Sequence, residues 1–179
     1  MLKWTITIIE VVAMNKLLFP DLIVDSIRDI NLELLNQNHI KGLILDIDNT
    51  LVAWDVKEAD KNSMEWIEYL KNNGIKVCLV SNNTEDRVVK FNENLKLYAI
   101  HAANKPRKAP FKKALNYLKL KPEETAVVGD QIFTDILGGN RLNMFTILVT
   151  PISPKEFPFI KVKRWLEKII LKQYYKSKK

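Results

Sequence analysis

Cysteine is almost absent from this 179-residue chain, in which Cys78 stands alone. An intramolecular disulfide framework is therefore excluded, and a single thiol fits a reducing compartment. Cys78 also lies inside an apolar run, where it reads as a small core residue rather than a nucleophile. Histidine is nearly as scarce, and His39 and His101 stand isolated, so no His/Cys spacing suits zinc. Long hydrophobic runs are missing too. The apolar segment 1–13 is broken by Glu10, is too short to span a bilayer, and is followed by no clear small-residue cleavage site. Repeats and low-complexity tracts are absent apart from a lysine-rich end. Gly138-Gly139 follows no strand, which excludes a phosphate-cradling glycine loop there.

What remains is ordinary for one globular domain: 47% hydrophobic and 27% charged residues, in a chain long enough to bury a core. The formal charge of +7 is unevenly spread. Residues 155–179 hold nine Lys/Arg against two Glu, whereas residues 1–154 hold nineteen of each sign. The basic character belongs to the tail.

Four apolar runs end in chemistry. Leu43-Ile44-Leu45 delivers Asp46-Ile47-Asp48-Asn49-Thr50, Val77-Cys78-Leu79-Val80 delivers Ser81-Asn82-Asn83, Tyr98-Ala99-Ile100-His101 leads to Asn104-Lys105-Pro106, and Thr125-Ala126-Val127-Val128-Gly129 delivers Asp130, with Asp135 five residues on. Strand side chains alternate, so Asp46 and Asp48 are expected on one side as the chain leaves the sheet. Carboxylates that close repel unless a cation or a shared proton resolves them. Such a pair suits a nucleophile, an acid/base and a hard metal ion; it also suits a capped turn after a strand. Helices are predicted near 58–73, 84–94, 110–119 and 131–141, and strands near 42–47, 76–80, 98–101, 125–129 and 145–149. Residues 21–27 and 31–35 read as short helical or turn segments at the sheet edge. Strands alternating with helices give an α/β fold, a three-layer Rossmann-like arrangement with a parallel sheet of about five strands. Ligands of such sheets sit beyond the carboxyl ends of the strands.

Together these four signatures resemble the haloacid dehalogenase (HAD)-like phosphatase superfamily, in its motif order and over roughly residues 40 to 150. Phe19-Pro20-Asp21-Leu22, Asn49-Thr50-Leu51-Val52, Ser81-Asn82-Asn83, Lys105-Pro106 and Gly129-Asp130-Gln131 with Thr134-Asp135 are similar to its YqeG subgroup, related to phosphatidylglycerophosphate phosphatases. The resemblance implies a phosphomonoester hydrolase in which Asp46 forms an aspartyl-phosphate and Asp48 serves as acid and base. It implies Mg²⁺ held by Asp46, the Asp48 main-chain carbonyl, Asp130 and, directly or through water, Asp135. Ser81 and Lys105 would stabilise the phosphoryl group, with Thr50 and Asn82 beside it. Arg107 and Lys108 are rivals of Lys105 for that role, or would meet a second anionic group. Only 35 residues separate Asp46 from Ser81 and 24 separate Ser81 from Lys105, which leaves no room for a cap domain. An open site fits large or membrane-held substrates, with phosphatidylglycerophosphate the substrate the resemblance implies. A phosphorylated protein, nucleotide or soluble sugar is the first alternative, and an RNA- or ribosome-associated binding module is the second. Trp54, in the flap after Asp48, either touches substrate or packs.

Three regions are expected: an N-terminal extension 1–13, which contacts a membrane or precedes a native start at Met14; a phosphatase domain 14–154; and a basic helix 155–179. In that helix Phe159, Val162, Leu166, Ile169, Ile170 and Gln173 share a face, while Lys161, Lys163, Arg164, Lys168, Lys172 and Lys176 lie elsewhere. An anionic membrane surface, a nucleic acid or the chain's own core could each cover it. The resemblance favours the membrane, hence a cytoplasmic protein at the inner membrane face, with nucleic acid the weaker partner.

Overall fold

The computed structural model of the chain describes residues 16–153 and the backbone of 158–178, with side chains from 162 onward. The expected extension 1–13 lies outside the described residues. Strands β1 (Leu22–Val24), β2 (Gly42–Leu45), β3 (Lys76–Val80), β4 (Tyr98–Ile100), β5 (Thr125–Gly129) and β6 (Phe145–Val149) form one sheet in the order β1-β6-β5-β2-β3-β4. Every pairing is parallel. The sheet has six strands rather than about five. The additional one is β1, expected as a helical or turn segment, since three residues are too few to show a period of two. It is held at the sheet edge by pairing with β6 and by the Asp21 carboxylate, which accepts from the Thr146 amide at 2.8 Å.

The helices follow their local signals. The helix α1 (Leu32–Gln37) is capped by Asn31, whose side chain accepts from the Leu34 amide. Asp60 caps α2 (Lys61–Asn72) in the same way, so this helix starts three residues later than expected and stops before Gly74, at φ 82°. α3 (Glu85–Asn92) opens on two acidic residues at its positive end. α4 (Lys108–Leu118) carries Pro110 in its first turn, where a missing N–H costs nothing. After β5 comes a π-helical turn, Ile132–Ile136, then α5 (Leu137–Asn140), and finally α6 (Pro158–Ser177).

Strand alternation sorts the core into two layers. Leu43, Leu45, Val77, Leu79, Ala126 and Val128 face Leu35 of α1, Trp66, Ile67 and Leu70 of α2, and Val88 and Phe91 of α3. Ile44, Cys78, Val80 and Val127 face Phe111, Ala114, Leu115 and Leu118 of α4. Each fully buried Leu or Ile stabilises the fold by roughly 1.5–3 kcal/mol, which fixes the strand register and with it the site. Cys78 is fully buried and burial pushes its thiol up to about 12, as an inert core residue requires.

Candidate active site at the carboxyl ends of the strands

Leu45 pairs with Leu79 on one side and Val128 on the other, so β3 and β5 end level with each other and one residue beyond β2. Asp46 is the next residue after β2, Ser81 the next after β3 and Asp130 the next after β5. Asp46 stays in the ladder, its amide donating to the Val128 carbonyl at 3.0 Å. Beyond it the chain turns sharply. The Leu51 amide donates to the Ile47 carbonyl, and Asn49 takes φ 62°, a left-handed conformation that Asn tolerates better than most residues.

Asp46, Asp130 and Asp135 are all buried, and their ligand oxygens lie within 4.8 Å of one another. Asp135 reaches the site from the π-helical turn, and its approach depends on Gly129, because a Cβ there would collide with the Asp135 carboxylate. Lys105 supplies the balancing charge. Its ammonium donates to Asp46 Oδ1 and Asp135 Oδ1, both at 2.6 Å. Burial disfavours the charged amine, but Asp135 and Asp46 outweigh it and hold Lys105 above the ordinary lysine range. Burial raises Asp46 to about 7 and Asp130 well above the usual carboxylate range, with Lys105 and Arg164 respectively opposing.

The remaining expected residues divide. Thr50 is buried, with its hydroxyl 3.5 Å from Asp46 Oδ2. Ser81 is buried, and its Oγ accepts from the Asn83 amide at 3.1 Å. The Asn82 side chain bonds both main-chain polar groups of Lys105, accepting from N at 2.6 Å and donating to O at 3.3 Å, so it positions that loop. Asp48 does not join the carboxylate trio. Its side chain is held by Arg87 at 2.8 Å and by Asn83 at 3.1 Å. Arg107 and Lys108 are exposed at the start of α4, whereas Lys105 is buried, so among these three it is Lys105 that meets the carboxylates. Trp54 is 37% exposed in the flap.

Three charged residues at the site were not anticipated. Arg87 of α3 binds Asp48 and also donates to the carbonyls of Val56 and Lys57, tying the flap to the site. No local pattern marks it. Arg164 and Glu167 of α6 carry an i,i+3 ion-pair spacing, which is visible in sequence but is usually a solvated feature. Here Arg164 turns inward to the Asp130 carboxylate and Glu167 accepts from the Ile132 amide at 2.7 Å.

Buried oxygen donors of this kind fit a hard divalent cation. Asp130 Oδ1 is buried without a hydrogen-bond partner, a costly arrangement for a carboxylate oxygen unless a ligand meets it. The sequence model of the family described as mitochondrial PGP phosphatase matches residues 2–153. The chain belongs to that family. Members act as HAD-like phosphatases, and this enzyme is a phosphatase of that type. It is 42% identical over 158 residues to the probable phosphatase YqeG of Bacillus subtilis, covering 88% of this chain and 92% of that protein. Identity is 29% to the chloroplastic/mitochondrial phosphatidylglycerophosphate phosphatase 1 of Arabidopsis thaliana, over 93% of this chain but only 51% of that longer protein. The fold is that of a cobalt-bound deoxy-D-mannose-octulosonate 8-phosphate phosphatase from Haemophilus influenzae, at TM-score 0.54 and 16% identity, over 78% of this chain and 92% of the other. A putative HAD family hydrolase from Streptomyces avermitilis shares it at TM-score 0.52 and 18% identity, over 62% of this chain and 67% of the other.

Proposed function

We propose that the chain hydrolyses a phosphomonoester through an aspartyl-phosphate on Asp46, with Mg²⁺ as cofactor and phosphatidylglycerophosphate as substrate. The observation that carries the chemistry is the buried Asp46–Lys105–Asp135 bridge beside Asp130. Asp46 attacks phosphorus, the P–O bond to the alcohol breaks, and Asp48 gives its proton to the departing alkoxide. Water then attacks the aspartyl-phosphate while Asp48 takes back a proton, releasing inorganic phosphate. Asp48 leaves its Arg87 and Asn83 contacts for the leaving oxygen during this exchange. Asp46, Asp130 and Asp135, together with the Asp48 main-chain carbonyl, would hold Mg²⁺, which would supply the positive charge that offsets repulsion between Asp46 and the phosphate dianion. Lys105, Ser81 and Thr50 meet phosphoryl oxygens, and Asn82 keeps Lys105 in place.

The lipid assignment is supported by the family and by α6. No described helix is long and apolar enough to cross a membrane. Yet Val162, Trp165, Leu166 and Ile169 are exposed along α6, with Lys163, Lys168 and Lys172 exposed beside them. The helix docks through other residues. Arg164 and Glu167 bind the site, and Leu171 together with Ile170 of the expected face packs on Ile132, Ile136 and Leu148, while Val162, Trp165, Leu166 and Ile169 stay outward. An exposed apolar stripe with a lysine rim fits an anionic bilayer surface. Trp165→Ala with Ile169→Ala lowers partition onto phosphatidylglycerol vesicles by roughly tenfold or more, since each side chain contributes about 1.5–3 kcal/mol of apolar burial. Unchanged sedimentation with vesicles would sink the membrane role.

The deciding experiment compares Mg²⁺-dependent phosphate release from phosphatidylglycerophosphate in mixed micelles with release from a soluble aryl phosphate. Faster turnover of the lipid supports the assignment. Turnover of the aryl phosphate alone keeps the chemistry and transfers the substrate to a soluble or protein-borne phosphate.

A further inference from the structure

The C-terminal helix enters the carboxylate cluster. Arg164 Nη1 donates to the Asp130 main-chain carbonyl at 2.5 Å, and Nη2 donates to Asp130 Oδ2. The other carboxylate oxygen, Oδ1, is buried and has no hydrogen-bond partner. Glu167 fixes the guanidinium from behind, Oε2 accepting from Nη1 at 3.1 Å. Its Oε1 accepts from the Ile132 amide at 2.7 Å, at the start of the turn that carries Asp135. Glu167 is 4% exposed, so this second ion pair is as buried as the first.

We propose that Arg164 is a positioning residue for the cation site: it grips Asp130 by one carboxylate oxygen and by the main chain, and thereby presents Oδ1 to a divalent cation. The proposal rests on the reading that the aspartate trio holds such a cation. A guanidinium is a planar fork whose donors have fixed directions, so two of them on Asp130 set the carboxylate's rotation as well as its charge. An aspartate held at one oxygen only by packing would sample rotamers in which Oδ1 turns away. Formal charge points the same way. Asp46, Asp130, Asp135 and Glu167 face Lys105 and Arg164, which leaves two negative charges, the complement of one divalent cation. The helix that closes the domain is thus also part of the site, although it lies beyond the last motif of the sequence.

An opposite arrangement makes an opposite prediction. If the guanidinium occupied the cation's own place, removing it would strengthen cation binding. Calorimetric titration of the full chain with Mg²⁺ in the absence of substrate separates the two. Arg164→Gln is expected to weaken Mg²⁺ binding by about 10–100-fold, the usual cost of losing a group that orients a metal ligand. Arg164→Lys, which keeps the charge but not the fork, is expected to recover only part of that loss. Lys112→Gln, exposed on α4 and away from the site, leaves the affinity unchanged. Equal or tighter binding by Arg164→Gln overturns the proposal. If that variant does not fold by circular dichroism, Arg164→Lys against wild type decides: weaker binding supports the proposal and equal binding overturns it. Absence of Mg²⁺ binding in the wild type overturns the cation reading itself, a failure distinct from a wild type and an Arg164→Gln variant that bind alike.

Discussion

Asp46→Asn is expected to abolish phosphate release, by at least about 10⁴-fold, while leaving the domain folded. A loss of that size is the expected scale for removing the nucleophile of a covalent mechanism, because the neighbouring groups that remain can no longer act in concert. The amide has the carboxylate's shape and lacks a nucleophilic oxygen. The fold keeps its frame without that charge: the Asp46 amide keeps its bond to Val128, and Lys105, which loses one of its two buried ion pairs, retains Asp135 Oδ1 at 2.6 Å. In cation-free protein the substitution even removes a burden. Burial pushes the Asp46 carboxyl from 3.8 up to about 7, Lys105 opposing and Asp135 and Asp48 adding. Between those values the folded protein holds a proton that the unfolded chain has released, so this group's contribution to stability falls as pH rises through the window. Asp130 acts with the same sign. Wild-type protein in chelator therefore melts lower at pH 8 than at pH 5. The Asp46→Asn variant shows a smaller decline, and Mg²⁺ flattens the wild-type dependence by meeting the same charge. Phosphate release near wild-type level from the folded Asp46→Asn variant would remove Asp46 from the mechanism.

The parts of the site that could be read in sequence are those the backbone places locally. An apolar run followed at once by Asp, Ser or Asp defines a strand end, and parallel pairing then brings Asp46, Ser81 and Asp130 to within one residue of the same level without further information. Lys105 was legible for a similar reason, since it follows β4 after a short loop. Asp48 shows where that reasoning stops. The i,i+2 rule assumes that the strand continues, whereas the chain turns at Ile47 and Asn49, and the second carboxylate, still close enough to raise Asp46, is held by Arg87 and Asn83. Arg87, Arg164 and Glu167 depend on how helices pack against the sheet ends, information that no spacing within one element contains. In α6 the apolar face left its cover open among a membrane, a nucleic acid and the core, and the residues that dock the helix lie mostly off that face. The inward side mixes an ion pair to Asp130 and a hydrogen bond from the Ile132 amide with apolar packing by Ile170, Leu171 and Tyr174, so polar contacts share the docking that a helix usually leaves to its apolar stripe. β1 escaped notice because a three-residue strand is specified by its partner β6 rather than by its own pattern.

Lys105→Met is the substitution expected to damage stability most, and it damages turnover as well. Methionine keeps most of the side-chain volume, so packing around this 7% exposed position survives. The charge does not survive. Asp46 and Asp135 each lose a 2.6 Å ion pair and then face one another and Asp130 in a buried site. Breaking one partner of a buried ion pair costs about 3–5 kcal/mol, because the remaining charge is left uncompensated. That penalty applies to the ionised carboxylates. The variant therefore loses stability more steeply than wild type as pH rises from 5 to 8 in chelator, and acid restores part of it. Mg²⁺ also restores part of it, by placing positive charge among the same oxygens. Turnover at saturating Mg²⁺ falls by roughly 10²–10³-fold, the scale of losing one preorganised group that stabilises developing phosphoryl charge. Thermal melts at pH 5 and 8, each with chelator and with Mg²⁺, separate the structural from the chemical contribution. A variant as stable as wild type under all four conditions would show that the Lys105 bridge contributes nothing net to the fold. Loss of turnover in that stable variant would then belong to chemistry alone.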